Sequence, residues 1–148
     1  GFSFTNSGMI CLSRKSEEKL KEKIRERTRR NMGRSFDEVL KSVSTLMRGW
    51  LSYFRCARMS RKLLKLEGWI RRKLKCYRLK QCKRAIGIVR FLRRLGVEET
   101  LAWRTALSGK GWWRLSNSPA IAIGMNNEWF VDQGYYSLVD NYERLRLR

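Results

Sequence analysis

Histidine is absent from the 148 residues, proline occurs once, and Asp and Glu total 13 against 34 Lys and Arg. Without histidine, zinc-finger and imidazole-based nuclease sites are excluded. The four cysteines, at 11, 56, 76 and 82, include no Cys-x-x-Cys pair. They are expected to be reduced, mostly packed thiols of an intracellular protein. No apolar run approaches the roughly 18 residues that a membrane span needs, and no signal peptide is visible. A cytoplasmic protein with no membrane partner is therefore expected. There is no P-loop and no paired-aspartate motif on a predicted hairpin. The seven acids before Gly96 mostly sit within basic helices, where pairing one turn apart accounts for them. By itself the chain is expected to bind rather than catalyse, with no cofactor or metal of its own.

What is present is charge of one sign on an ample apolar core. The formal charge is +21, and a hydrophobic content of 43% argues against disorder. Such a field opposes compaction unless a polyanion is near, and favours nucleic acid as partner. The charge is uneven. Residues 1–95 hold 28 basic and 7 acidic side chains, and residues 96–148 hold 6 of each. The two parts are expected to do different jobs. The chain begins on Gly1-Phe-Ser-Phe without Met, and it is read as a piece of a longer protein.

The stretch from Ser35 to Phe54 organises the rest. Its apolar residues Phe36, Val39, Leu40, Val43, Leu46, Met47, Trp50, Leu51 and Phe54 keep the rhythm of one buried helical stripe. Ser35 and Glu38 form a capping box at its start. At about 1.5 Å per residue it spans roughly 30 Å. Around it, alternation on both sides of Thr5-Asn-Ser-Gly8 predicts a short hairpin in residues 1–13. Ser16 opens a first helix with Leu20, Ile24 and Met32 inward, ended by Gly33. Ser60 caps a third, with Leu63, Leu66, Ile70, Leu74 and Tyr77 inward. A fourth runs from about Gln81 to Leu95, with Ala85, Ile88, Val89, Leu92 and Leu95 inward. No strong breaker separates these last two, so one long bent helix is an alternative. Further on, Glu98–Leu107 reads as a short helix and 108–115 as a compact loop. Ser118-Pro119 opens a helix to Gln133, ended by Gly134, and Ser137 begins the last. The fold class is mainly α: a basic three- to four-helix bundle over 14–95, a short N-terminal β-hairpin, and a small helical C-terminal region over 96–148.

Basic side chains on several helices can track phosphates. On the first helix, acids at 18, 22 and 26 cannot balance seven bases, so phosphate binding is preferred over a merely solvated face. The candidates there are Arg14, Lys15, Lys19, Lys23, Arg25, Arg27, Arg29 and Arg30. Arg48 lies on the axle. Arg71, Arg72, Lys75, Arg78 and Lys80 follow on the third helix, and Lys83 and Arg84 at the fourth. Gly49 costs about 1 kcal/mol relative to Ala inside a helix. Close approach of a neighbouring helix or of a sugar–phosphate backbone would offset that. Trp50 and Phe54 are expected in the core, with Arg48 and Tyr53 reaching ligand. Trp112 and Trp113, between Lys110 and Arg114, either stack on bases or anchor their loop to the bundle.

Taken in order, these residues resemble the C-terminal part of group II intron-encoded reverse transcriptases, the maturases. Gly1-Phe-Ser-Phe with its hairpin resembles the segment closing the palm. The basic run Lys19 to Arg30 and then Ser35 to Arg48-Gly-Trp-x-x-Tyr-Phe54 resembles the maturase-specific domain, or domain X. Trp69-Ile-Arg-Arg-Lys-Leu74 with Lys80-Gln-x-Lys-Arg84 is similar to its next helices. Ser108-x-Lys-Gly-x-Trp-Arg114, Asn126-Asn127 and Gln133-Gly-x-x-Ser-Leu-Val-x-x-Tyr-Glu-Arg144 resemble the bacterial DNA-binding region. Cys82 departs from the family, standing where an aromatic residue is expected. The resemblance implies a thumb that clamps an RNA/DNA template–primer duplex and a maturase surface that holds intron RNA in its splicing-competent fold. It implies DNA contacts from Lys110, Trp112, Trp113 and Arg114 to target DNA. The catalytic finger/palm domain, with its Mg2+, would belong to the parent RNA-directed DNA polymerase. Two other readings stand beside it: the thumb of an intron-free relative, and a basic structural protein of a large ribonucleoprotein.

Overall fold

A computed structural model describes residues 2–4, 10–29 and 33–146, without the side chains of residues 3 and 4. Strands β1 (Phe2–Phe4) and β2 (Ile10–Leu12) pair antiparallel, with Ser3 opposite Cys11. The expected hairpin turn at 5–8 lies outside the described residues, as do Arg30 and Met32. Helices α1 (Arg14–Arg27), α2 (Phe36–Phe54) and α3 (Ser60–Gln81) build the main bundle. Helices α4 (Ala85–Arg94), α5 (Glu99–Ala106), α6 (Trp112–Leu115) and α7 (Pro119–Gly124) come next. Helices α8 (Asn127–Asp132) and α9 (Leu138–Arg146) close the chain. The mainly helical bundle with its short hairpin is as the sequence indicated.

The axle forms as expected. Ser35 is extended and its side chain accepts from the Glu38 amide, and the helix buries Phe36, Val39, Leu40, Val43, Met47, Leu51 and Phe54. Trp50 differs. It is only half-buried, packing its ring 5.0 Å from that of Phe54, and its indole N–H is enclosed without an acceptor among the described residues.

Several boundaries move for local reasons. Ser13, not Ser16, caps α1, because Ser13 is the extended residue and its oxygen accepts from the Ser16 amide. Ser16 is buried inside the first turn. The helix stops at Thr28, whose hydroxyl turns back to the Ile24 carbonyl, before Gly33 adopts its left-handed φ of 65°. Ser60 is the first residue of α3, which has no side-chain cap. Helices α3 and α4 are separate, because Lys83 takes a φ of 64°, which a right-handed helix cannot continue through. Gly87 then lies against the turn, where a Cβ would collide with the Cys82 carbonyl oxygen. Part of the 108–115 loop winds into α6. The helix expected from 118 to 133 is two, since the Asn126 side chain accepts from the Trp129 amide and starts α8 afresh. The Ser118 hydroxyl donates to the Leu115 carbonyl instead of capping α7.

Two apolar cores result. The first joins α1, α2 and α3 with Phe130, Tyr135, Leu138 and Tyr142 from the end of the chain. The second joins Leu79 and α4 with α5, Leu115, α7 and Met125. The division expected at residue 95/96 therefore does not track the packing: α4 packs with the helices after it, and α9 returns to α2 and α3. Glu67, 2% exposed, fixes that return by accepting from the Leu138 and Val139 amides at 2.7 and 3.3 Å. Of the cysteines, Cys76 is buried, Cys11 and Cys82 are half-buried and Cys56 is exposed, so Cys56 is not the packed thiol expected.

Candidate nucleic-acid interface

Side chains one turn apart share a helix face, and two such pairs converge where α1, α3 and α6 meet. Lys21 and Arg25 on α1 reach across to Trp69 on α3, at 5.6 and 5.3 Å from its ring centre. Lys73, one turn beyond Trp69, stands 5.7 Å from that ring and 5.8 Å from Trp113. Arg72 lies 4.0 Å over the Trp113 ring and also grips the loop, donating to the Trp113 carbonyl at 2.7 Å and to the Ser116 hydroxyl at 3.1 Å. Trp113 remains 38% exposed and Trp69 is half-buried. Two indoles interleaved with four cations form a surface on which a base can stack while its phosphates meet ammonium and guanidinium groups.

The structure brings together Arg25, Arg72 and Trp113 from the predicted set and adds Trp69, Lys73 and Lys21, the last counted among the seven bases of the first helix but not among the candidates. The signal for the added three was the one-turn spacing of Lys21 to Arg25 and of Trp69 to Lys73. On α1, Arg14, Lys15, Lys19 and Lys23 are exposed, as is Arg29 beyond it. Arg27 turns inward and donates to the Ser42 carbonyl and hydroxyl at 3.1 and 3.0 Å, tying α1 to α2. Arg48 is exposed, over Tyr136 at 5.2 Å. Lys80, Lys83 and Arg84 are exposed around the α3–α4 turn, and Lys110 before α6 and Arg114 on it are exposed as well. Trp112 is half-buried against the second core, its carbonyl accepting from the Cys76 thiol at 3.4 Å.

Arg71, Lys75 and Arg78 share one face, as their spacing indicated, but all three are half-buried. Arg71 pairs with Glu67 at 3.6 Å and lies over Tyr135, with its Nε enclosed. Arg78 lies 4.2 Å over Phe91. Burial, and then Arg71 and Arg72, hold the Lys75 ammonium below its ordinary pKa of 10.5. These three cations serve the contact between α3 and the rest of the chain. Burial and the nearby Glu67 push the Tyr135 phenol well above its ordinary pKa.

Among the described residues no three His, Cys, Asp or Glu side chains are grouped to hold a metal ion, and no helix is long and apolar enough to cross a membrane. Residues 17–96 match the family described as group II intron, maturase-specific domain. The match runs from the first turn of α1 to just beyond α4 and so contains every member of the cation–indole face except Trp113. No curated protein matches the chain.

Proposed function

Because this chain belongs to the group II intron maturase-specific domain family, we propose that it binds intron RNA and holds it in the fold that splices. The carrying observation is the face of Trp69 and Trp113 interleaved with Lys21, Arg25, Arg72 and Lys73. Phosphates meet the cations of α1 and of the α3–α4 turn, and unpaired bases stack on the indoles. Within a parent RNA-directed DNA polymerase the same bundle acts as the thumb, its exposed α1 cations clamping the template–primer. A separate finger/palm domain supplies the Mg2+-dependent chemistry. Lys110 and Arg114 contact target DNA during insertion. The chain itself binds and does not catalyse.

The test is affinity for the host intron RNA and for a generic RNA duplex over a salt series. Counterion release makes phosphate contacts fade steeply with salt, whereas stacking persists. A preference for intron RNA that survives rising salt is the expected result. Equal, steeply salt-dependent binding to both would leave a thumb without intron recognition, and no binding to either would overturn the reading.

A further inference from the structure

Between α1 and α2 lies a cavity of about 420 Å³. Its size falls within the roughly 300–1,000 Å³ of small-ligand sites. Its floor is apolar, built from Leu20, Leu46, Trp50 and Phe54, and Lys19 and Lys23 stand at its edge, one turn apart and both exposed. One further feature points to an occupant. Gly49 also lines the cavity, and a Cβ there would meet nothing within 4 Å. No neighbour in the described chain therefore requires a glycine at this point of α2, although glycine weakens a helix. Its bareness leaves the α2 backbone open to something from outside.

We propose that this cavity receives one unstacked nucleotide of single-stranded RNA. The base lies on Trp50 and Phe54, and the flanking phosphates meet Lys19 and Lys23. Two ammonium groups at the rim favour this anionic occupant over an apolar protein segment. The inference deepens the RNA-binding reading and rests on it, but uses none of the residues of the Trp69–Trp113 face.

The experiment compares the whole chain with Gly49→Leu, which fills the cavity while favouring the helix, and with Trp50→Phe, which keeps an aromatic ring of smaller stacking area. The probes are a single-stranded oligouridylate and an RNA duplex of equal length, read by fluorescence anisotropy. Gly49→Leu is expected to weaken oligouridylate binding about tenfold, the worth of one stacked base, and to leave duplex binding and melting temperature unchanged. Trp50→Phe is expected to cause a smaller loss in the same direction. With 4-thiouridine in the oligonucleotide, irradiation should mark the peptide spanning Thr45 to Phe54 in the unaltered chain and not in Gly49→Leu. If Gly49→Leu does not fold, Thr45→Phe fills the same cavity from the preceding turn. Unchanged oligouridylate affinity in a folded, filled variant would overturn the proposal and leave the cavity to an apolar protein segment. An equal loss for duplex and single strand would also overturn it. Failure of the unaltered chain to bind either probe would instead bring down the RNA-binding reading itself.

Discussion

Trp113 is the more exposed of the two indoles and takes little part in either core, so its removal separates binding from folding. Trp113→Ala is expected to weaken single-stranded RNA binding by about 1–3 kcal/mol, the range for one stacked base, with the salt slope unchanged. Lys73→Gln should do the opposite, lowering the slope by about one with a smaller loss of affinity. Filter binding at several salt concentrations measures both, and a Trp113→Ala protein of full affinity would remove that indole from the interface. Lys75 yields a prediction about stability. Its folded pKa is lowered, chiefly by burial and then by Arg71 and Arg72, with Glu128 lining the same recess. The unfolded chain therefore holds the proton at pH values where the folded chain has released it, and the Lys75 contribution improves as pH rises through that window towards 10.5. Lys75→Met should accordingly melt higher than the unaltered protein at neutral pH, with the advantage narrowing in alkali. Tyr135 is common to both proteins, so the difference between the two melting curves isolates Lys75. An advantage that stayed constant with pH would show packing, not charge, to be the cause. The spacing of Arg71, Lys75 and Arg78 was legible in the sequence, and their burial was not. A one-turn repeat shows which residues share a face, but not which later residues will pack over it.

At the scale of elements, helix α2 was readable because everything that defines it is local: a cap at Ser35 and an apolar stripe that one helical period explains. The breaks that were missed depend on side chains choosing among backbone partners. Asn126 accepting from the Trp129 amide divides α7 from α8, and Ser13 outcompetes Ser16 as the cap of α1. Least legible was the docking of α9. Glu67 looked like one more acid in a basic helix, yet its buried carboxylate meets the first amides of α9, where the positive helix end favours it. Ser44 supports the same junction by accepting from the Tyr136 amide at 3.3 Å, and the Tyr142 hydroxyl donates to the Ala57 carbonyl. Glu67→Ala would leave two amides without their acceptor and the half-buried Arg71 without its partner. A loss of about 3–5 kcal/mol is expected, the usual result of breaking a buried pair from one side. Hydrogen exchange should quicken first in α9. Unaltered protection of α9 would mean that Leu138 and Tyr142 hold it through apolar contact alone.

Across the whole molecule, charge and packing divide the chain differently. All of the excess charge lies before residue 96, with the remainder neutral, which made a boundary there reasonable. Packing ignores it. Phe130 is fully buried in the core of α1, α2 and α3, with Tyr135, Leu138 and Tyr142 beside it, while Leu79, Ile88 and Leu92 of the basic part are covered by residues beyond Gly96. The neutral region is thus positioned to screen inward-facing apolar surface from water without adding to the repulsion among 28 bases, which net charge of one sign makes a standing cost to compactness. A chain cut after residue 95 would keep nearly the whole of the matched family segment and all its charge, yet lose one wall of each core. Each large buried side chain so exposed forfeits about 1.5–3 kcal/mol, and several together exceed the roughly 5–15 kcal/mol margin of a typical fold. The truncated chain is expected to retain some helix but to melt without a cooperative transition at low ionic strength. Added salt or RNA should restore order in part by screening the repulsion. Circular dichroism with heating decides the matter: a sharp transition at the melting temperature of the full chain would make residues 1–95 an independent unit, and the second core an appendage to it.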